Sequence, residues 1–287
     1  MAPSMRSRGM LLVAGAAACW STGGLIARLV ATDAWTTTLW RCVFSSAFLL
    51  FVVAVVRRQG VITQWRTIGW PGLAVAACLA TASTCFILSL AHTSVANTLV
   101  LISVGPWVAG LLGWLLLGER VRPRTWLTMG LALAGVVIMV SGSYGAGRLA
   151  GDLLAIGMAS AFAMGTVLMR RRPEIQMTPA ASLAAVLAGL AALPFASPLA
   201  VSARDVGLLA LFGIGQFGAG FLLFTAGARL LPVAETSLIG MLEMVLGPLW
   251  VWLLLGEAIG VRTIAGGAVI LGALAAHTLL DVTTPAP

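Results

Sequence analysis

The sequence predicts an all-α integral membrane protein of ten transmembrane helices in two inverted five-helix repeats. Three observations carry this. Of the 287 residues, 60% are hydrophobic and 9% charged, against roughly 25% charged in a soluble domain. The basic residues, all Arg, crowd onto alternate loops. Segments of the first half recur in the second.

Composition sets the class. A mean hydropathy of +1.04 excludes an ordinary soluble enzyme, a disordered chain and a secreted disulfide scaffold, because a soluble surface needs polar cover. The net charge of +8 and pI near 11.1 do not imply nucleic acid, since basic excess on one membrane face is the usual orientation signal. Cys19, Cys42, Cys78 and Cys85 lie in apolar stretches without a CxxC pair and read as buried, inert thiols.

A helix needs about 20 apolar residues to cross the hydrocarbon. Breaks at charges, prolines and turn clusters delimit ten segments in order: 10–31, 35–56, 68–90, 95–117, 124–142, 152–170, 179–196, 206–227, 233–255 and 262–280. The first follows Arg6 and Arg8. It is a full span with no small-residue cleavage site, so it reads as a membrane helix rather than a signal peptide. With a cytoplasmic N-terminus, one side holds twelve arginines: Arg6, Arg8, Arg57, Arg58, Arg66, Arg120, Arg122, Arg124, Arg170, Arg171, Arg172 and Arg229. The other holds Arg148, Arg204 and Arg262. The positive-inside rule therefore places both termini in the cytoplasm, and any miscounted span would scramble the pattern.

The repeat is the most specific signal. Trp114-Leu115-Leu116-Leu117-Gly118-Glu119 recurs as Trp252-Leu253-Leu254-Leu255-Gly256-Glu257, an offset of 138. At that offset Val95-Ala96-Asn97-Thr98 meets Val233-Ala234-Glu235-Thr236, and Phe86 meets Phe224. With a small gap, Trp20-Ser21-Thr22-Gly23 falls on Phe162-Ala163-Met164-Gly165. The expected halves are 1–142 and 151–280. Five spans per half force the second to enter from the opposite side. Inverted repeats mark secondary transporters, which use them to open alternately to either side.

Ten spans in two five-helix halves, with Pro106 to Glu119 and Glu243 to Glu257 near the fourth and ninth spans, resemble the EamA-type drug/metabolite transporter family. Trp20-Ser21 and Trp40-Arg41 are also similar. The resemblance covers nearly the whole chain, and the YddG-type aromatic amino acid exporters are the most similar in kind. It implies export of amino acids or related metabolites through a central cavity lined by spans 1, 3, 4, 6, 8 and 9, with spans 5 and 10 set apart. One departure is visible: Pro106 aligns with Met244, and Pro248 comes one helical turn later.

Candidate pathway residues follow from polarity and aromaticity inside spans. Glu243 lies near the middle of span 9, where a carboxylate costs about 2.5–3.5 kcal/mol on insertion scales; it holds a substrate ammonium, carries a coupling proton, or sits protonated against a neighbouring helix. Gln216 in span 8 is a buried amide. Trp20, Ser21 and Thr22, with Ser83 and Thr84 of span 3, offer a polar face, although such hydroxyls also bond back to their own helix. Trp20, Trp107, Phe162, Phe217 and Phe221 are the candidate aromatic lining. Asn97 and Glu235, repeat equivalents near opposite ends, are gate residues or helix caps. Pro106 and Pro248 are the candidate hinges. Arg41 reads as structural and Arg28 as snorkelling to the interface. Ala268, Gly272 and Ala276 on span 10 suit tight packing or a dimer seam.

The expected partners are a small-molecule substrate and the lipid bilayer, with protons left open, no nucleic acid, and a monomer or weak homodimer through spans 5 and 10. No cofactor, metal-ligand cluster, Walker sequence or Ser-His-acid set is expected. The expected setting is a bacterial inner membrane. A multidrug or nucleotide-sugar exporter is the alternative within transport; an integral-membrane enzyme is the alternative from another class.

Overall fold

A computed structural model describes residues 5–57, 61–93, 95–141, 149–172, 177–256 and 260–283. Those residues form helices and no strand. Eight helical stretches are long and apolar enough to cross a membrane, and Pro123–Met139 and Val261–His277 are shorter apolar helices. Together they account for the ten expected spans.

The first span is two helices, α1 (Met5–Ser21) and α2 (Gly23–Leu29), joined at Thr22. Asp33 starts α3 (Ala34–Arg57) by accepting the amides of Trp35 at 2.9 Å and Thr36 at 3.0 Å, which satisfies two of the orphan donors of a first turn. The third span, α4 (Val61–His92), bends at Gly69, whose φ of +57° suits glycine. Pro71 follows, so Val61–Ile68 is a separate lead-in to the membrane helix.

The fourth span breaks into α5 (Val95–Ile102) and α6 (Gly105–Leu117). Gly118 ends α6 at φ +70°, and the Glu119 amide reaches back to Gly113 O at 3.2 Å. This is a Schellman closure, and it requires a left-handed residue at Gly118. The ninth span repeats the plan with α12 (Val233–Gly240), a turn at Met241, and α13 (Leu242–Leu255), which ends at Gly256 with φ +69°. Ser103 and Met241, like Gly118 and Gly256, are 138 residues apart, so the duplicated sequence carries duplicated backbone breaks.

One of the two prolines falls at a break. Pro106 sits in the first turn of α6, just past the interruption; it cannot donate to Ile102 O, so α5 does not run on through it. Pro248 lies inside α13, well past the Met241 turn.

The remaining spans are α7 (Pro123–Val140), α8 (Leu149–Arg171), α9 (Thr178–Ala192) with a 3-10 turn to Phe195, α10 (Ala203–Leu211), a π-helical segment Phe212–Ala219, α11 (Gly220–Gly227) and α14 (Val261–Thr283). The π segment divides the eighth span, and such insertions are often found at functional sites.

The halves are interleaved. Helix α4 packs on α8 and α9, α1 on α11 and α13, and α3 on the π segment. Alanines 180, 181, 184, 185 and 188 of α9 are fully buried, and their small size lets the neighbouring helices approach closely. Helices α7 and α14 pack mainly on each other. A Cβ at Gly135 would lie 2.8 Å from Gly266 O, so the tight stripe of α14 runs through Gly266, Ile270 and Ala273, which are buried. Ala268, Gly272 and Ala276 face outward instead. The four-residue pattern of small side chains thus marks the wrong face for packing inside the chain.

Candidate functional site

The largest aromatic cluster bridges the halves. Trp20, at the end of α1, meets Phe162 of α8 at 5.5 Å, Phe221 at 5.7 Å and Phe224 at 5.1 Å, both on α11. Phe162 lies 4.9 Å from Phe224, and Phe217 lies 4.5 Å from Phe221. The edge and tilted geometries suit ring quadrupoles. Gly220 is needed here, because a Cβ at that position would run into the Trp20 indole.

Polar groups border the cluster. Gln216, on the π segment, is 6% exposed; Nε2 reaches Trp20 O at a long 3.5 Å, and Oε1 is buried without a donor among the described residues. Trp250 of α13 donates its indole N–H to Ser21 Oγ at 2.8 Å, so the break after α1 is tied to the ninth span. Ser21 and Thr22 also donate to Ala18 O and Cys19 O, each at 2.7 Å. That back-bonding suits a helix interruption.

Ser83 turns toward α3, where its Oγ and O both accept from the Arg41 guanidinium, at 2.6 and 3.2 Å. Thr84 is half-buried nearby on α4. Glu243 is half-buried at the second position of α13, immediately beyond the Met241 turn. Among the described residues no hydrogen bond or ion pair reaches its carboxyl. A helix N-terminus favours a carboxylate there. Trp107 stands apart from the cluster. It packs on Trp126 of α7 at 5.0 Å, along an apolar groove with Val108 and Leu111, and its indole N–H has no acceptor among the described residues.

The two ends of the helix bundle are closed by different chemistry. At the arginine-rich end, Glu119 accepts from Arg170 Nε at 3.0 Å and from the Val233 amide at 3.2 Å. Arg170 also donates to Arg229 O at 2.9 Å. Beside them Arg6 pairs with Glu235 at 3.2 Å. Both ion pairs join the first half to the second. Glu257, the repeat counterpart of Glu119, lies outside the described residues.

At the opposite end Thr93 donates to Asp152 at 2.8 Å, Ser89 donates to Gly151 O at 2.9 Å, and Ser89 and Thr98 share a 2.9 Å bond. Asn97, 4% exposed, donates to Thr93 at 3.3 Å. Gly151 admits this crossing, since a Cβ there would lie 2.7 Å from the Thr93 backbone.

Three features are not evident from sequence. Phe224 shows there only as a repeat match, although it stands at the centre of the ring cluster. Phe212 gives no signal of its own, and Arg41 reads as structural. For the two rings a signal exists: Phe212 and Phe224 fall on the same helical face as Gln216; for Arg41, on α3, the sequence offers none beyond its charge.

One solved crystal structure overlays on the chain with a TM-score of 0.84 at 22% identity, covering 96% of this chain and 98% of that one. This agreement concerns the fold. The chain is 26% identical over 272 residues to the "Uncharacterized transporter YwfM" of Bacillus subtilis (strain 168), covering 91% of this chain and 90% of that protein. The model of the EamA-like transporter family matches twice, over residues 7–141 and 149–278. With matches spanning nearly its whole length, the chain belongs to the EamA-like transporter family, and it is a multi-pass membrane transporter.

Proposed function

We propose that this protein is a bacterial inner-membrane secondary transporter that exports amino acids, aromatic or other neutral ones, and related small metabolites by alternating access. The observation that carries the reading is the ring cluster of Trp20, Phe162, Phe221 and Phe224, contributed by both halves and bordered by Gln216 and Ser21. Aromatic walls with a few placed polar groups suit a small solute that has an apolar side chain and a polar head.

In this reading 1–142 and 151–280 are the two inverted units, and both termini face the cytoplasm, on the side of the twelve arginines. The Glu119–Arg170 and Arg6–Glu235 pairs close the cytoplasmic end. The Thr93–Asp152 and Ser89–Thr98 contacts close the outer end. Rocking at the Thr22, Ser103–Val104 and Met241 interruptions opens one end while the other stays shut. Glu243, at the last of these, takes the substrate ammonium or a coupling proton.

The test is uptake into proteoliposomes with a panel of labelled amino acids, with and without a pH gradient. Expected is saturable uptake of aromatic or large neutral amino acids, with preference shifted toward smaller side chains by Phe221→Ala. If a drug cation or a sugar nucleotide moves and no amino acid does, the substrate assignment fails.

A further inference from the structure

Arg41 carries its charge into the interior of the bundle with no carboxylate to meet it among the described residues. The residue is 1% exposed and is the largest fully buried side chain of the described residues. It lies in the first third of α3 and does not extend to an interface. Nη2 donates twice, both times to Ser83. Nε has no acceptor among the described residues.

Two rings flank the cation. Phe217 lies 4.6 Å and Phe212 5.3 Å from the guanidinium carbon. Desolvated cation–π contacts contribute about 2 kcal/mol, whereas the effective penalty for burying an ion is several kcal/mol. Two rings and two charge-assisted hydrogen bonds are of the same order, yet Nε is still left with no acceptor among the described residues. The fold therefore holds a guanidinium part-solvated by protein, with a donor still to be used.

The neighbours are incomplete in a complementary way. Ser45 Oγ, one turn further along α3, is buried without a partner among the described residues, as is Gln216 Oε1. Gln216 lies between Phe212 and Phe217 on the π segment, so the rings over Arg41 and the unsatisfied carbonyl share one short stretch. That stretch is pressed against α3: a Cβ at Gly213 would lie 2.7 Å from Phe44 Cβ and 3.0 Å from the Ser45 amide. An unused donor on Arg41 Nε and an unused acceptor on Gln216 Oε1 suit a zwitterion, carboxylate to Arg41 and ammonium to Gln216, which leaves the coupling proton to Glu243.

We propose that Arg41 binds the carboxylate of the transported solute, with Ser83 fixing one edge of the guanidinium, Phe212 and Phe217 holding its plane, and Ser45 adding a donor. A planar fork with free N–H groups suits a bidentate carboxylate contact. Phe212, Gln216 and Phe217 all lie on the π segment, a kind of helix insertion that is frequent at functional sites. The class of solute is thereby narrowed to one that bears a carboxylate. The ammonium contact rests on the amino acid reading above; the carboxylate contact does not.

The test compares matched pairs of probes on the purified full-length protein in detergent: phenylacetate against phenylacetamide, and L-phenylalanine against its amide. Binding is read by calorimetry and by the ligand-induced shift in Tm. The wild type should bind each carboxylate at least tenfold more tightly than its amide, and Arg41→Lys should lose most of that preference because it keeps the charge but not the fork. Arg41→Gln should abolish it. The comparison within the wild type needs no variant to fold. Equal binding of acid and amide by the wild type, no binding of any probe, or a preference retained in Arg41→Lys and Arg41→Gln would overturn the proposal. Carboxylate preference without amino acid uptake in proteoliposomes upholds Arg41 and removes the amino acid reading; uptake without the preference does the reverse.

Discussion

Glu119 reaches from the end of α6 to Arg170 at the end of α8, Oε1 to Nε 3.0 Å, and its second oxygen accepts the Val233 amide at 3.2 Å. One carboxylate thus joins three spans drawn from both halves. Hydrogen bonds to charged groups contribute about 1.5–3 kcal/mol each. Glu119→Gln should therefore open the arginine-rich end. The expected readout is a several-fold rise in labelling by a membrane-impermeant maleimide of Cys19, the native cysteine one residue before Trp20, with the other three cysteines replaced. Unchanged labelling would show that this contact does not hold the end closed.

The Arg6–Glu235 pair fastens the same end more weakly, α1 to α12. Its arginine side chain is 38% exposed, and exposed pairs are worth about 0.2–1 kcal/mol. Arg6→Gln should raise labelling less than Glu119→Gln does, and the difference from wild type should vanish in 1 M salt, where the Debye length falls to about 3 Å.

The α3 crossing makes a prediction about volume. Gly213→Ala would press a methyl group against Phe44 and the Ser45 amide, and overpacking of this kind costs about 1–3 kcal/mol. The Tm in detergent should fall. At Gly207 and Gly272 an added Cβ would meet nothing within 4 Å; both are helical, so alanine there should be neutral or stabilising by up to about 1 kcal/mol. A Gly213→Ala protein as stable as Gly272→Ala would contradict the tight crossing.

Asp33 gives the pH dependence. Partial desolvation pushes its carboxyl up, but the hydrogen bonds from Thr36 and from the Trp35 amide outweigh it, and the group titrates below its ordinary 3.8. Because the folded value is depressed, its stabilisation is present above the ordinary value and lost as pH falls through the folded one. Asp33→Ala removes the cap of α3 and should cost about 0.5–2 kcal/mol at neutral pH. The Tm difference from wild type should shrink as pH falls below 3.8, while Asp33→Asn, still able to cap, should remain near wild type at neutral pH.

The span count and the repeat are legible in the sequence because both rest on long, periodic patterns: apolar length for the one, the Trp-Leu-Leu-Leu-Gly-Glu segments for the other. The left-handed caps at Gly118 and Gly256 follow directly from those segments. The interruptions inside spans are legible only in part. Pro106 marks the Ser103–Val104 interruption just before it, whereas Pro248 lies beyond the Met241 turn, which no proline signals. Trp107, which stands apart from the ring cluster, and the outward Ala268 stripe, which leaves a dimer seam but not packing inside the chain, could not be sorted by hydrophobicity, because lipid-facing and protein-facing helix surfaces are equally apolar inside a membrane protein. Arg41 is visible as a charge, but only its depth and its lack of a carboxylate among the described residues distinguish it from an interfacial arginine.

The unlike chemistry of the two ends makes them unequal in their response to dissolved ions. The arginine-rich face is fastened by ion pairs that dissolved ions can screen, whereas the opposite face is fastened among the described residues by hydroxyl and backbone donors, with Asp152 and Asp205 accepting from neutral groups, bonds to which bulk ionic strength matters less. Under the alternating-access reading proposed above, the same rise in salt on both sides loosens one closure more than the other and so shifts the balance between the two facing states.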